Sequence, residues 1–220
     1  TVELTRSEPA PPEGVGASRA WLEVVDLARR AARSDARVLI SAPSWENRRA
    51  LFTRAGFEVA EYPYYDATLR DQGGIDFAAM RAALESSAPG TIVVLHACCH
   101  NPTGYDINAA QWDKVVAICK TNNLVPFLDM AYQGFGYGLK EDGAVIQKFV
   151  DAGLTFFVST SFSKSFSLYG ERVGALSVLC TDKAEADRVL SQLKIAIRTN
   201  YSNPPTHGGS VVAAVLNSPE

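Results

Sequence analysis

The chain has 220 residues, 47% of them hydrophobic and 20% charged, and 21 Lys+Arg against 24 Asp+Glu give a formal net charge of −3. This is an ordinary globular composition, long enough to bury roughly 70% of the surface its unfolded form exposes. It excludes a disordered tail, a collagen and a disulfide miniprotein, and the charge balance offers no basic excess to a nucleic acid.

In chain order, residues 1–16 read as an irregular N-terminal segment, polar and Pro-rich as far as Pro11 and Pro12. Arg19 to Arg33 has helical spacing, with Leu22, Val25, Leu27 and Ala31 as candidate core positions. Arg37 to Ser41 is a short apolar strand, Trp45 to Ala55 a helix, Phe57 to Tyr62 a strand and Asp76 to Ser86 a helix. Thr91 to His96 is an apolar strand, Ala109 to Thr121 a helix, and Leu124 to Asp129 a strand that ends in a carboxylate. Then come a helix over Ala144 to Ala152, strands over Thr155 to Ser159 and Gly174 to Cys180, and a long helix over Asp182 to Thr199. Strands alternating with helices, the strands almost continuously apolar, predict an α/β fold. Its sheet is mostly parallel, with helices on both faces.

No apolar run approaches the ~20 residues of a membrane helix. The start lacks the charged-then-apolar order of a signal peptide. Cys98 and Cys99 are adjacent while Cys119 and Cys180 stand alone, which is no disulfide framework. The expectation is a cytoplasmic protein with reduced thiols and neither membrane nor nucleic acid as partner.

Parallel sheets bind ligands beyond the carboxyl ends of their strands. After Thr91–His96 comes Ala97-Cys98-Cys99-His100-Asn101-Pro102-Thr103-Gly104. His96, Cys98 and His100 alternate, and an extended chain would set three metal ligands on one face. A closed site wants a fourth, and the spacing matches no zinc pattern, so no metal is assigned. Pro102 pushes Asn101 toward an extended backbone and Gly104 frees the turn, which presents the Asn101 amide to a ligand or makes a simple turn. After Leu124–Leu128 come Asp129 and, three residues on, Tyr132. A carboxylate closing a buried strand calls for a cationic partner, the alternative being a helix cap beside a packing tyrosine. After Thr155–Ser159 come Ser161-Phe162-Ser163-Lys164 and then Arg172. Hydroxyls and a guanidinium suit a phosphate, and the lysine suits either a phosphate or a Schiff base. One ligand uses the whole set: pyridoxal phosphate has an aldehyde for Lys164 and a ring nitrogen for Asp129. Its phenolic oxygen suits Asn101 and Tyr132, and its phosphate suits Ser161 and Arg172.

On these residues the sequence resembles the class I aminotransferases of the aspartate/aromatic type, with the fold type I architecture of pyridoxal-phosphate enzymes. The resemblance is carried by Pro43-Ser44-Trp45-Glu46-Asn47, His96 to Gly104, Asp129 to Gly136, Ser161 to Gly174, and Ile197 to Pro205. Phe162, Ser165 to Arg172 and Trp45-Glu46-Asn47 look more like the bacterial aromatic (tyrosine) branch than the aspartate branch.

The resemblance implies an aminotransferase that moves an amino group between an aromatic or dicarboxylic amino acid and a 2-oxo acid. It implies that Lys164 carries the cofactor as an aldimine and shuttles a proton, that Asp129 keeps the ring nitrogen protonated, and that Tyr132 and Asn101 bond the phenolic oxygen. Ser161, Ser163 and Arg172 lie where the family grips the phosphate, and Trp45 matches the aromatic that stacks on the ring, core packing being the alternative. Arg198 resembles the arginine that crosses to a partner subunit and receives a side-chain carboxylate, so the implied unit is a homodimer with shared active sites. His96 looks like a residue behind Asp129. Gly14 falls in the phosphate loop, where Glu13 and Val15 depart from the usual hydroxyl. Arg48 stands where a histidine is expected, and a cation there changes the field around Asp129. Family members are considerably longer, so residues 17–220 are expected to be the large cofactor domain, with the small domain absent or truncated. The other functions weighed are a cofactor-binding sensor domain and an inactive fragment.

Overall fold

The computed structural model describes residues 37–218. The expected helix over Arg19 to Arg33 and the segment around Gly14 lie outside the described residues. Six strands form one sheet in the order β2-β1-β3-β4-β5-β6. They are β1 (Arg37–Ala42), β2 (Glu58–Pro63), β3 (Ile92–His96), β4 (Val125–Met130), β5 (Phe156–Ser161) and β6 (Gly174–Leu179). The first five run parallel and β6 pairs antiparallel with β5. The helices are α1 (Glu46–Arg54), α2 (Phe77–Glu85), α3 (Ala109–Thr121), α4 (Leu139–Asp151), α5 (Phe162–Ser165), α6 (Lys183–Asn200) and α7 (Thr206–Asn217).

Alternation along the central strands sorts the apolar side chains to two faces. Leu39, Val93, Leu95 and Leu128 join Met80 and Leu84 of α2, Trp112 and Val115 of α3, and Val145 and Phe149 of α4 in the larger core. Val38, Ile40 and Val94 point the other way, against Phe52 of α1, Phe57, Val59 and Phe127. Both faces are therefore covered, as the apolar strands require: their alternate positions have nowhere polar to go.

Two departures from the sequence reading have local causes. Helix α4 starts at Leu139 rather than Ala144, because the Asp142 carboxylate accepts from the amides of Gly134, Gly136 and Tyr137 and anchors the first turn to the preceding loop. The segment after α6 is a tight turn in which Ser202 N–H donates to the Ile197 carbonyl and Ser202 has φ +70°. It leads into helix α7, which the glycines at 208 and 209 and the Pro204-Pro205 pair hid. Between β2 and α2 lies a 3-10 helix over Ala67–Gln72, capped by Asp66 on Thr68 N–H.

Candidate active site

The strand register lines up the candidate residues. His96 at the end of β3 pairs with Asp129 on β4, and Asp129 pairs with Ser159 on β5. Ser161 at the end of β5 pairs with Gly174 at the start of β6, so the antiparallel return sets Arg172 two residues from the Ser161 partner. The carboxyl ends of β3, β4 and β5 thus lie side by side, with His96, Asp129 and Ser159 in one register row, Ser161 two residues further along β5, and Asn101, Tyr132, Ser163 and Lys164 in the segments just beyond.

Asp129 is held from two sides. One oxygen accepts from the Arg48 guanidinium in a short ion pair, and the other accepts from Ala131 N–H at 3.2 Å. Arg48 is 3% exposed and also reaches Ser44 Oγ at 2.8 Å and His96 Nε2 at 2.6 Å. His96 is thus linked to the Asp129 carboxylate through the Arg48 guanidinium. A guanidinium N–H facing Nε2 demands a lone pair there. Burial first, then the positive charge of Arg48 and the neighbouring His100 ring, push the imidazole pKa down to about 2.

The loop that carries Asn101 is fixed by side-chain bonds from Asp106 and His100. Asp106 accepts from the amides of Cys99 and His100 at 2.6 and 2.9 Å. The His100 ring bonds Ser41 Oγ and Thr103 Oγ1, each at 2.8 Å, and stacks on Tyr64 at 4.0 Å. Burial, then Arg48, lowers its pKa to about 4. Cys99 in this loop has φ +50°, a conformation most side chains avoid. The trace such a clamp leaves in sequence, an acid a few residues beyond a turn, is a common one. The alternating trio does not gather: among the described residues the cluster near metal-binding spacing is Cys98, Cys99 and Asp142, whose carboxylate is already taken by three amides.

Lys164 and Tyr132 meet: the lysine Nζ lies 4.7 Å from the phenol ring centroid, over its face. Ser161 caps the short helix α5, its Oγ accepting from Ser163 N–H at 3.2 Å, and Ser163 is buried. Arg172 has φ +51° and donates to the Tyr169 carbonyl at 3.0 Å. Gly174 follows because a Cβ there would sit 2.6 Å from the Thr160 carbonyl oxygen. Asn101 is half-buried. Trp45, 42% exposed, precedes α1, the helix whose first turn aims Arg48 at Asp129. Arg198 lies elsewhere, in the last turn of α6, donating to Ser202 Oγ and lining a groove with Asp187, Leu190 and Lys194. Gly14 lies outside the described residues.

Comparison with known proteins identifies the family. A family model described as aminotransferase class I and II matches residues 12–220. The chain is 59% identical over 186 residues to an aspartate aminotransferase of Pseudomonas aeruginosa, covering 84% of this chain and 46% of that protein. It is 54% identical over 180 residues to an aromatic-amino-acid aminotransferase of Escherichia coli, covering 82% and 45%. The crystal structure of an aromatic-amino-acid aminotransferase from Burkholderia pseudomallei, covalently bound to pyridoxal phosphate, superposes with a TM-score of 0.83 at 62% identity, covering 90% of this chain and 49% of that one. The chain thus spans about half the length of the relatives it matches.

Proposed function

The chain belongs to the class I and II aminotransferases, and from that premise we propose that the whole protein is a pyridoxal-phosphate-dependent aminotransferase of the aspartate/aromatic type. It exchanges an amino group between an aromatic or dicarboxylic amino acid and a 2-oxo acid. The observation that carries this reading is the gathering of Asp129, Tyr132, Ser161 and Lys164 within a few residues of the carboxyl ends of the adjacent strands β4 and β5, with Lys164 Nζ over the Tyr132 ring.

The donor set fits the cofactor by its chemistry. It holds an amine, a carboxylate, a phenol with an amide, and two hydroxyls beside a guanidinium, matching an aldehyde, a ring nitrogen, a ring oxygen and a phosphate. When bound, pyridoxal phosphate supplies the aldehyde that takes up the amino group and the ring that withdraws electrons from the substrate Cα. This chain's residues do the rest. Lys164 is the nucleophile, and its Nζ, once free, takes and returns the Cα proton. The face of Tyr132 steadies the ammonium form of that amine, and its hydroxyl joins Asn101 on the ring oxygen. Asp129 supplies negative charge at the ring nitrogen, and Ser161, Ser163 and Arg172 fix the phosphate end. Trp45 stacks on the ring, and Gly14 belongs to the phosphate loop.

Residues 17–220 are read as the large cofactor domain. The working unit is a cytoplasmic homodimer in which Arg198 receives the substrate side-chain carboxylate in the neighbour's site. Among the described residues no helix is long and apolar enough to cross a membrane.

Borohydride treatment of the cofactor-loaded protein, followed by peptide mapping, should place the pyridoxyl label on Lys164. A label on another lysine overturns the Lys164 assignment, and none on folded protein overturns the reading in favour of an inactive fragment.

A further inference from the structure

The buried cation beside Asp129 has no part in the chemistry above. Arg48 is 3% exposed, and a guanidinium so placed is costly unless it is paired. Two of its partners, Ser44 Oγ and His96 Nε2, are neutral acceptors. Among the described residues its anionic partner is Asp129, and the ion pair engages the same carboxylate that faces the ring nitrogen under the proposed function. No other ion pair to Asp129 occurs among the described residues. The carboxylate is thus balanced before any cofactor arrives, and one negative charge is left to serve two cations. The second cation also meets the repulsion of the first across a partly buried, weakly screened gap.

We propose that Arg48 is a positioning residue that fixes the Asp129 carboxylate and shares its charge, so that this protein gains less from the ring nitrogen of pyridoxal phosphate than a neutral side chain at position 48 would allow. The inference rests on the cofactor reading above. It gives a specific meaning to an arginine at this position: a neutral side chain there would leave Asp129 unbalanced without cofactor and would make the protonated ring its natural partner. Arg48 trades part of the cofactor grip for a site that is already electrically complete.

The test compares two ligands by equilibrium dialysis against the whole protein: pyridoxal phosphate, and its analogue with the ring nitrogen replaced by C–H. The ratio of their dissociation constants isolates what the nitrogen contributes, and a merely structural loosening of the site moves both alike. The expected ratio is below about tenfold in the wild type. It should rise by about tenfold or more in Arg48→Gln and stay near the wild-type value in Arg48→Lys, which keeps the charge. A wild-type ratio of about a hundredfold or more overturns the proposal, as does an unchanged ratio in Arg48→Gln. The wild-type ratio decides alone if Arg48→Gln does not fold. A wild-type protein that binds neither ligand overturns the cofactor reading and this proposal together, whereas tight binding of both with a large ratio overturns this proposal only.

Discussion

At the scale of single residues, two buried imidazoles tie stability to pH. His96 and His100 are held neutral by burial and by Arg48, with pKa values pushed down to about 2 and about 4. An unfolded histidine titrates near 6.5, so below that pH the unfolded chain binds more protons than the folded one. Their contribution is complete above about pH 6.5 and is lost progressively as the pH falls toward the folded values. The urea midpoint should hold steady above neutrality and fall through the range from about pH 6.5 to 4. His100→Gln should flatten that fall, and a slope unchanged in this variant would show that other groups drive it. Asp142 behaves differently. Burial opposes its charge, but the amides of Tyr137, Gly136, Gly134 and Gly138 outweigh burial and hold its carboxyl below the usual range. Its contribution is present above the ordinary carboxylate pKa and is lost only under stronger acid, as the pH drops through the lowered folded value. Asp142→Asn puts an NH2 where an acceptor is needed against those amides. It should cost about 1–3 kcal/mol in chemical denaturation and loosen the loop that follows Tyr132. A variant as stable as the wild type would mean that the amide collar carries no net stabilisation.

At the scale of elements, the site depends on how its supports begin and end. Helix α3 starts with a reciprocal capping box: Asn108 Oδ1 accepts from Gln111 N–H at 2.9 Å, and Gln111 Oε1 accepts from Asn108 N–H at 2.8 Å. Asn108→Ala should cost about 0.5–2 kcal/mol, read from the denaturation midpoint, without changing cofactor uptake. The β5–β6 turn is less tolerant. A methyl group at Gly174 would meet the Thr160 carbonyl oxygen at 2.6 Å, a backbone atom that cannot swing aside. Gly174→Ala should therefore spread the Ser161–Gly174 pairing, cost on the order of 1–3 kcal/mol, and weaken phosphate binding by displacing Arg172 from Ser161. Unaltered affinity for inorganic phosphate as a competitor of the cofactor would separate Arg172 from the phosphate site.

At the scale of the whole molecule, the sheet has a finished side and an open one. The cores around β1, β3 and β4 are sealed, whereas α6 buries none of its residues, and Leu176, Leu190, Ile195, Val215 and Leu216 stay exposed. The proposed shared-site dimer places Arg198 on this open side, away from its own chain's Asp129. A mixed dimer tests it. One subunit carries Lys164→Ala and the other Arg198→Ala. If Arg198 serves the neighbour, one site takes both lesions and the other is intact, so about half of the wild-type activity toward dicarboxylic substrates should remain. If Arg198 serves its own chain, both sites are damaged and that activity should nearly vanish.

The sheet was legible in the residues because burial on both faces leaves the strands almost no polar choice, and a run such as Ile92-Val93-Val94-Leu95 can hardly be anything else. The chemistry at the strand ends was legible for a related reason. Asp129, Tyr132, Lys164 and Arg172 are residue types that a packed strand end does not keep for packing alone. What the sequence by itself determined was therefore the fold class and the roster of reactive groups. Helix α7 was hidden because its glycines and the prolines before it are local helix breakers; Gly208 is needed for packing, since a Cβ there would come within 2.9 Å of Glu171 Cβ. The early start of α4 was hidden because three amide bonds to Asp142 come from residues outside the helix. Only the tertiary structure decided the electrostatics of the site. Arg48 lies 81 residues before Asp129 in the chain. The resemblance set that cation near Asp129, but the ion pair itself, with Ser44 and His96 on the same guanidinium, depends on where α1 docks against the sheet.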